Sequence, residues 1–231
     1  MTTLMTWRDV ADATVSLLGT ASRLRPGDET APSLCAGWTR GHVLTHLARN
    51  ADAIGNLVMW TRTGVPTPMY ASAQAREEAI AAGAGRSVDE LVADVRASAA
   101  RLADKTAGLT PAHDGFELEL RGGVRIAASE LPWRRLREVT YHQVDLDVGF
   151  GFADLPPRLV DAFLRDEALS LADSVEPPSV TLRPTEGSSH VIGDGAASVR
   201  GTPAALLGWL ARGLTAGLVC DGGLPHLPRE R

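Results

Sequence analysis

Apolar residues recur at alternating steps of three and four along much of the first 150 residues, which is the spacing of the buried face of a helix. Long stretches of this kind predict four principal helices. Each stretch follows a residue suited to cap a helix, namely Thr6, Thr39, Ser87 and Ser129. The segment from about 71 to 82 has helical composition but a thin apolar face, so we expect it to cover the core rather than build it.

A different pattern separates the third and fourth predicted helices. Apolar and polar residues alternate over 116–120 and again over 124–126, with glycine-rich turn residues between them, which predicts a small β-hairpin. Near residue 150 glycine and proline accumulate and the composition shifts, so we place a domain boundary there. The sequence therefore predicts an α+β fold, in which a four-helix bundle with a hairpin (residues 1–150) precedes a smaller α/β domain (residues 151–231).

The smaller domain mixes helices with short strands. A helix is predicted near 158–172, and strands follow near 180–182, 190–192 and 197–200. Thr202 and Pro203 open a last helix, whose apolar residues run as far as Leu214.

Composition narrows the classes of function. The 231 residues include 23 Lys and Arg against 28 Asp and Glu, and no dense basic run occurs, so we expect a small-molecule partner rather than a nucleic acid. The two cysteines, Cys35 and Cys220, form no C-x-x-C pair, which argues against a disulfide scaffold, a zinc finger or a dithiol redox site. The early charges Arg8 and Asp9 argue against a signal peptide, and no apolar run reaches the length of a membrane span. We expect a cytoplasmic protein without a membrane partner. The oligomeric state is not fixed by the sequence, and a monomer is the working expectation.

The fourth predicted helix carries the candidate chemistry. Glu138, His142 and Asp145 are spaced to lie along one helix face, so a carboxylate and an imidazole, both metal ligands, point the same way. Asp145 is either a structural residue of the helix end or the acceptor for the second N–H of a ligating histidine. A Glu and a His at this spacing also occur on solvated helix faces, so the motif needs support. In a bundle, a histidine of a facing helix would complete a set of three metal ligands and leave one coordination position open, as in catalytic zinc sites. The second predicted helix carries His42 and His46, and spacing alone does not choose between them.

Three segments, 34–53, 60–70 and 137–146, resemble the mycothiol-dependent maleylpyruvate isomerase family. The resemblance spans nearly all of the first domain and is looser in the second. It implies a DinB-like helical bundle that binds a divalent metal ion, usually zinc. It further implies that His46, Glu138 and His142 are the metal ligands and that His42 is either structural or a residue that supports a ligand without binding the metal itself.

The resemblance also implies a catalytic arginine in the last helix of the second domain. Arg212 matches best, although a glycine expected ahead of it is absent, which leaves the register open by one residue. The implied reaction converts maleylpyruvate to fumarylpyruvate in gentisate-type aromatic catabolism, by addition of a thiolate, rotation and elimination. Zinc would hold the thiolate of mycothiol, and Arg212 would hold a substrate carboxylate across the domain interface.

Other interpretations stay open. The scaffold would also suit a mycothiol S-transferase acting on another electrophile, or a non-catalytic metal-binding regulatory module. Cys35, at a helix entrance, is an alternative source of a thiolate, whereas Cys220 next to Asp221 is interpreted as structural. Tyr70, Trp60 and Asn50 are interpreted as packing or polar lining residues. Two histidines and a glutamate suit zinc but also other divalent ions.

Overall fold

Helices dominate the first part of the chain, as the apolar spacing predicts. The computed structural model describes residues 5–120 and 123–228, and the chain divides into two units, Met1–Phe150 and Gly151–Arg231. The described part of the first unit contains five α-helices: α1 (Trp7–Ala21), α2 (Arg40–Thr63), α3 (Ala73–Ala84), α4 (Val88–Thr106) and α5 (Leu131–Asp145). A hairpin of β1 (Glu117–Glu119) and β2 (Arg125–Ala127) lies between α4 and α5, and part of its predicted turn, residues 121–122, lies outside the described residues.

The four long helices pack as a ring. Helix α1 contacts α4 and α5, and α2 contacts the same two helices, so each packs against two neighbours. The capping boxes at Thr6 and Ser87 form as predicted, and the Thr39 hydroxyl accepts a hydrogen bond at the start of α2. Apolar residues of the four helices meet in one cluster, which includes Leu17, Leu24, Leu44, Leu47, Leu91, Val95, Val139 and Leu146. This packing holds α2 and α5, the two helices with candidate ligands, side by side.

Helix α3 lies against α2 at unusually short range. A Cβ atom on Gly41 of α2 would lie 2.1 Å from the carbonyl oxygen of Ala84 in α3. A Cβ atom on Gly83 would lie 2.5 Å from the Cγ2 of Thr45. Gly41 therefore allows a contact with the backbone of α3 that a side chain would block, and Gly83 leaves room for the side chain of Thr45, so α3 can lie close beside the first turns of α2.

Helix α5 begins later than the sequence predicts. A 3₁₀ turn over Ala128–Glu130 precedes it, and the helix starts at Leu131 without a side-chain cap. The prediction that Ser129 caps this helix is therefore wrong by about one residue. Pro132 lies in the first turn, where no backbone N–H is needed for the helix, so the late start leaves the face of Glu138 and His142 unchanged.

The second unit is a small α/β arrangement. It contains α6 (Pro157–Ala172), β3 (Val180–Pro184), β4 (His190–Ile192), β5 (Ala197–Gly201), α7 (Pro203–Arg212) and β6 (Val219–Cys220). The sheet order is β4-β3-β5-β6, and the β3–β5 pair is parallel while the other two pairs are antiparallel. Helices α6 and α7 pack against each other, α6 contacts β4, and α7 contacts β3 and β5.

Helix α7 ends sooner than its apolar pattern suggests. Gly213 has a φ of 68°, the left-handed conformation that closes many helices, so Arg212 is the last helical residue. Leu214, which we predicted within the helix, lies beyond it and is 41 % exposed. Together the two units give the predicted α+β fold. No helix among the described residues is long and apolar enough to cross a membrane.

Candidate metal centre

The packing of α2 against α5 brings three predicted ligands together. The Oε2 of Glu138 lies 2.7 Å from the Nε2 of His46 and 3.5 Å from the Nε2 of His142. One ligand atom from each of the three residues lies within 4.8 Å of the others. The two imidazole rings meet edge to face, with their centroids 4.6 Å apart. Two imidazole nitrogens and a carboxylate oxygen therefore converge on one point between the helices.

His42, the other histidine of α2, does not join this group. Its Nδ1 accepts a hydrogen bond from the Thr39 backbone at 3.3 Å and lies 2.8 Å from the Thr39 hydroxyl. The pair forms a reciprocal capping box in which His42 takes the place that Glu or Gln usually has. His42 therefore stabilises the start of α2, one turn before His46.

The charge states of the three residues depend on one another. Burial lowers the pKa of His46, and its hydrogen bond to Glu138 opposes that effect. Burial alone would raise the pKa of Glu138, but hydrogen bonds with His142 and His46 hold it well below its usual value. Burial alone would also lower the pKa of His142, yet hydrogen bonds with Asp145, Cys35 and Glu138 raise it well above 6.5. An ionised carboxylate is thus maintained between two imidazoles.

Asp145 supports the centre from behind His142. Its side chain is fully buried, with an exposed fraction of 0 %, and its Oδ2 accepts a hydrogen bond from the Nδ1 of His142 at 2.8 Å. The thiol of Cys35 donates to the same oxygen at 3.1 Å. A carboxylate in this position fixes the ring orientation and leaves the Nε2 of His142 facing Glu138. Of the two roles left open for Asp145, this geometry favours the acceptor for a ligating histidine.

The donor set fits a divalent metal ion. Neutral imidazole nitrogens and a carboxylate oxygen are the ligands that zinc and its neighbours use, and three of them leave a position for a further ligand. A second group, Cys35, His142 and Asp145, also has its ligand atoms within 4.8 Å. In that group the Nδ1 of His142 and the thiol of Cys35 both point at Asp145, so the contacts are accounted for by hydrogen bonds. The group of His46, Glu138 and His142 is the better candidate.

Two residues near the centre were not singled out by the sequence. The Trp38 ring lies 5.3 Å from the ring of His46 and 6.3 Å from that of His142, so it forms a wall beside both histidines. Arg76 of α3 donates from its Nη2 to the Nδ1 of His46 at 3.3 Å, and its Cζ lies 5.9 Å from the Trp38 ring centre. No local pattern could have placed Arg76 here, because its position depends on the packing of α3 against α2.

A third residue was within reach of the sequence. Arg135 lies three positions before Glu138 on α5, on the same helix face, and is 1 % exposed. Its Nη1 donates to the carbonyl oxygen of Leu47 at 3.1 Å and to the Oδ1 of Asn50 at 2.7 Å. Asn50, predicted as packing or polar lining, is thus the buried partner of an arginine. The i, i+3 spacing to Glu138 was the signal that could have identified Arg135.

The other residues considered from the sequence have the following surroundings. Arg212, at the end of α7 in the second unit, is half-buried and donates from its Nη1 to the carbonyl oxygen of Ala211 at 2.8 Å. Cys220 is partly buried in β6, and its Sγ lies 3.8 Å from the carbonyl oxygen of Asp221. Trp60 and Tyr70 line a cavity of about 540 Å³ in the first unit.

Known proteins match the chain in two ways. Residues 10–147 match the family model described as the mycothiol maleylpyruvate isomerase N-terminal domain. Two crystal structures, of the mycothiol-dependent maleylpyruvate isomerase and of a histidine-to-alanine mutant of it, each share 28 % identity with this chain, with a TM-score of 0.89. Each match covers 96 % of this chain and 95 % of the other. Among curated protein sequences, none matches significantly.

Proposed function

The chain belongs to the mycothiol maleylpyruvate isomerase family, and from this we propose that it is a mycothiol-dependent enzyme that converts maleylpyruvate to fumarylpyruvate. The observation that carries the proposal is the convergence of His46, Glu138 and His142 in a chain that matches such an isomerase over nearly its full length. The reaction is a cis–trans isomerisation of a double bond flanked by carbonyl groups. Mycothiol supplies a thiolate, whose reversible addition to that double bond permits rotation.

His46, Glu138 and His142 are proposed to hold a divalent metal ion, with zinc the expected one. Such an ion supplies a positive charge that favours the ionised form of a thiol at its open position. The chain prepares the site in two ways. Glu138 stays ionised between the two histidines, as its low pKa requires, and Asp145 accepts a hydrogen bond from the Nδ1 of His142. The first provides a carboxylate ligand, and the second directs the Nε2 of His142 to the point where the three residues converge, where a metal ion would displace the protons on the imidazoles.

Arg212 is proposed to bind a carboxylate of the substrate. Its guanidinium offers paired N–H groups to a carboxylate, and it would stabilise the negative charge that develops on the substrate when a thiolate adds. The support is the resemblance of the last helix to that of the family, together with the end of α7 at Gly213, which places Arg212 in the final turn. Trp38 is proposed to exclude water from one side of the histidine pair, since its ring covers both.

The test is an assay of the purified, zinc-loaded protein with maleylpyruvate, with and without mycothiol and with and without a chelator. We expect turnover that requires both mycothiol and the metal. A chloronitroaromatic electrophile and mycothiol, supplied in parallel, test the S-transferase interpretation. Conjugate formed without isomerisation would replace the isomerase by the transferase, and bound zinc without either activity would favour a regulatory module.

A further inference from the structure

The guanidinium of Arg135 is incompletely satisfied in the interior of the first unit. The side chain is fully buried, and its Nη1 is occupied by the carbonyl oxygen of Leu47 and the Oδ1 of Asn50. Its Nε and Nη2, however, make no hydrogen bond within the described residues. No carboxylate forms an ion pair with Arg135 in that part of the chain. An unpaired cation of this kind is rare in protein interiors, because burial removes its hydration.

Arg135 nevertheless stays charged at neutral pH. Burial lowers its pKa to about 10, while the negative charge of Glu138 opposes that effect. A pKa near 10 leaves the guanidinium protonated in the cell. The two orphan nitrogens lie on one edge of the guanidinium plane, and this edge is the one that binds a carboxylate through two parallel hydrogen bonds. The free edge of Arg135 is therefore shaped for a carboxylate.

A second buried polar group, the hydroxyl of Tyr70, lies in the same region of the first unit. The hydroxyl oxygen of Tyr70 is buried, has no partner in full hydrogen-bond geometry within the described residues, and has Arg76 as its polar neighbour. Burial raises the pKa of Tyr70, and the positive charges of Arg76 and Arg135 oppose the rise. Arg76 also donates to His46, which lies one turn of α2 before Asn50, the partner of Arg135, so these contacts place the groups beside the same part of α2. The Cζ of Arg76 lies 6.0 Å from the centre of the Tyr70 ring.

Tyr70 also connects this neighbourhood to a cavity. It belongs to the irregular segment 64–72 between α2 and α3, not to a core helix. Its side chain lines the cavity of about 540 Å³, together with apolar residues that include Trp60 and Met69 and with the polar residues Ser72 and Glu119. A ligand in the cavity would thus contact Tyr70, the member of the cluster that lines it.

We propose that Arg135 and Tyr70, with Arg76 beside His46, form a carboxylate-binding subsite within the first unit, next to the candidate metal ligands. The free edge of Arg135 would bind both oxygens of the carboxylate, and the Tyr70 hydroxyl would donate a third hydrogen bond. Arg76 would add a positive charge on the side of the metal ligands. The subsite rests on the proposed function only for the identity of its ligand, an end of maleylpyruvate.

The experiment measures binding of maleate, a simple cis-dicarboxylate, to the zinc-loaded protein by isothermal titration calorimetry. Tyr70→Phe is the main variant, because it removes only the hydroxyl and keeps the ring that packs beside Arg76. We expect Tyr70→Phe to weaken maleate binding on the order of tenfold. Arg135→Lys keeps the positive charge but cannot form bidentate hydrogen bonds with a carboxylate, and it should weaken maleate binding at least as much. Arg86→Lys, at an arginine paired with Asp94, is the matched control and should bind maleate as the wild type does.

The outcomes of this experiment distinguish the proposed subsite from the proposed function. Wild-type affinity for maleate in Tyr70→Phe and Arg135→Lys, with zinc content and melting temperature unchanged, would overturn the subsite even if maleylpyruvate is isomerised. No maleate binding by the wild type would overturn it as well. Maleate binding that both variants weaken would support the subsite even if the protein does not isomerise maleylpyruvate, in which case only the proposed function would fail.

Discussion

Replacing Asp145 with asparagine tests whether a buried carboxylate tunes the candidate metal centre. The Nδ1 of His142 and the thiol of Cys35 both donate to the Oδ2 of Asp145, at 2.8 and 3.1 Å. An asparagine with its side-chain oxygen in that place keeps both acceptor contacts and the shape of the side chain. Asp145→Asn therefore removes the negative charge behind His142 while both of these donors keep an acceptor.

The size of the effect follows from the change in one hydrogen bond. A hydrogen bond to a charged group contributes about 1.5–3 kcal/mol and one between neutral groups about 0.5–1.5 kcal/mol. The variant should thus lose about 1–2 kcal/mol of support for His142, which corresponds to about a 5- to 30-fold rise in the Kd for zinc. The full burial of Asp145 means that solvent does not screen the loss.

A competition titration with a chromophoric chelator measures the Kd for zinc directly. Asp147→Asn is the matched control, because Asp147 is exposed, lies two residues further on, and has a φ of 51° that asparagine tolerates well. The control should bind zinc as the wild type does. Equal zinc affinity in Asp145→Asn and the wild type would refute the view that Asp145 acts through His142.

Three further predictions concern binding, catalysis and the fold. Zinc affinity should fall as the pH falls, and the fall should begin above 6.5, because burial alone would lower the pKa of His142 but Asp145 and its other hydrogen-bond partners raise it, so that protons compete with zinc for His142 already above that pH. In a pH series of zinc titrations, an affinity that stayed constant down to pH 6.5 would contradict this prediction. Arg212→Ala should reduce kcat/KM for maleylpyruvate by about 100-fold and leave the zinc content unchanged, whereas Arg200→Ala, at an exposed arginine of the same unit, should change neither quantity. Equal losses of kcat/KM in the two variants would argue against a specific role for Arg212. Gly41→Ala should lower the free energy of unfolding in urea by about 1–3 kcal/mol, because its Cβ would lie 2.1 Å from the Ala84 oxygen, whereas Gly19→Ala, with open space at its Cβ, should not lower it. An unchanged free energy of unfolding in Gly41→Ala would refute the close contact between α2 and α3.

The candidate ligands on α5 were predictable because helix spacing is a local property. Glu138 and His142 are four positions apart, so any helix over this segment places them on one face. Spacing could not choose between His42 and His46, because both belong to α2 and lie one turn apart. The structure separates them by a local hydrogen bond, since Thr39 engages His42 at the helix start while His46 faces Glu138.

Residues whose position depends on packing could not be predicted. Arg76 reaches His46 only because Gly41 and Gly83 allow α3 to approach α2, and no sequence pattern encodes that distance. The fold shows the same limit. The four long helices and the hairpin followed from apolar periodicity, whereas the short strand β6 carries too little pattern to be recognised, and the end of α7 depended on the conformation of Gly213.

The rate of maleylpyruvate isomerisation as a function of zinc bound per chain, with mycothiol present, tests the central claim most directly. The proposed site predicts that chelation abolishes the rate, that returned zinc restores it in proportion to occupancy up to a single ion per chain, and that Glu138→Gln is not restored. A rate that is independent of zinc occupancy, or that persists without mycothiol, would contradict the account.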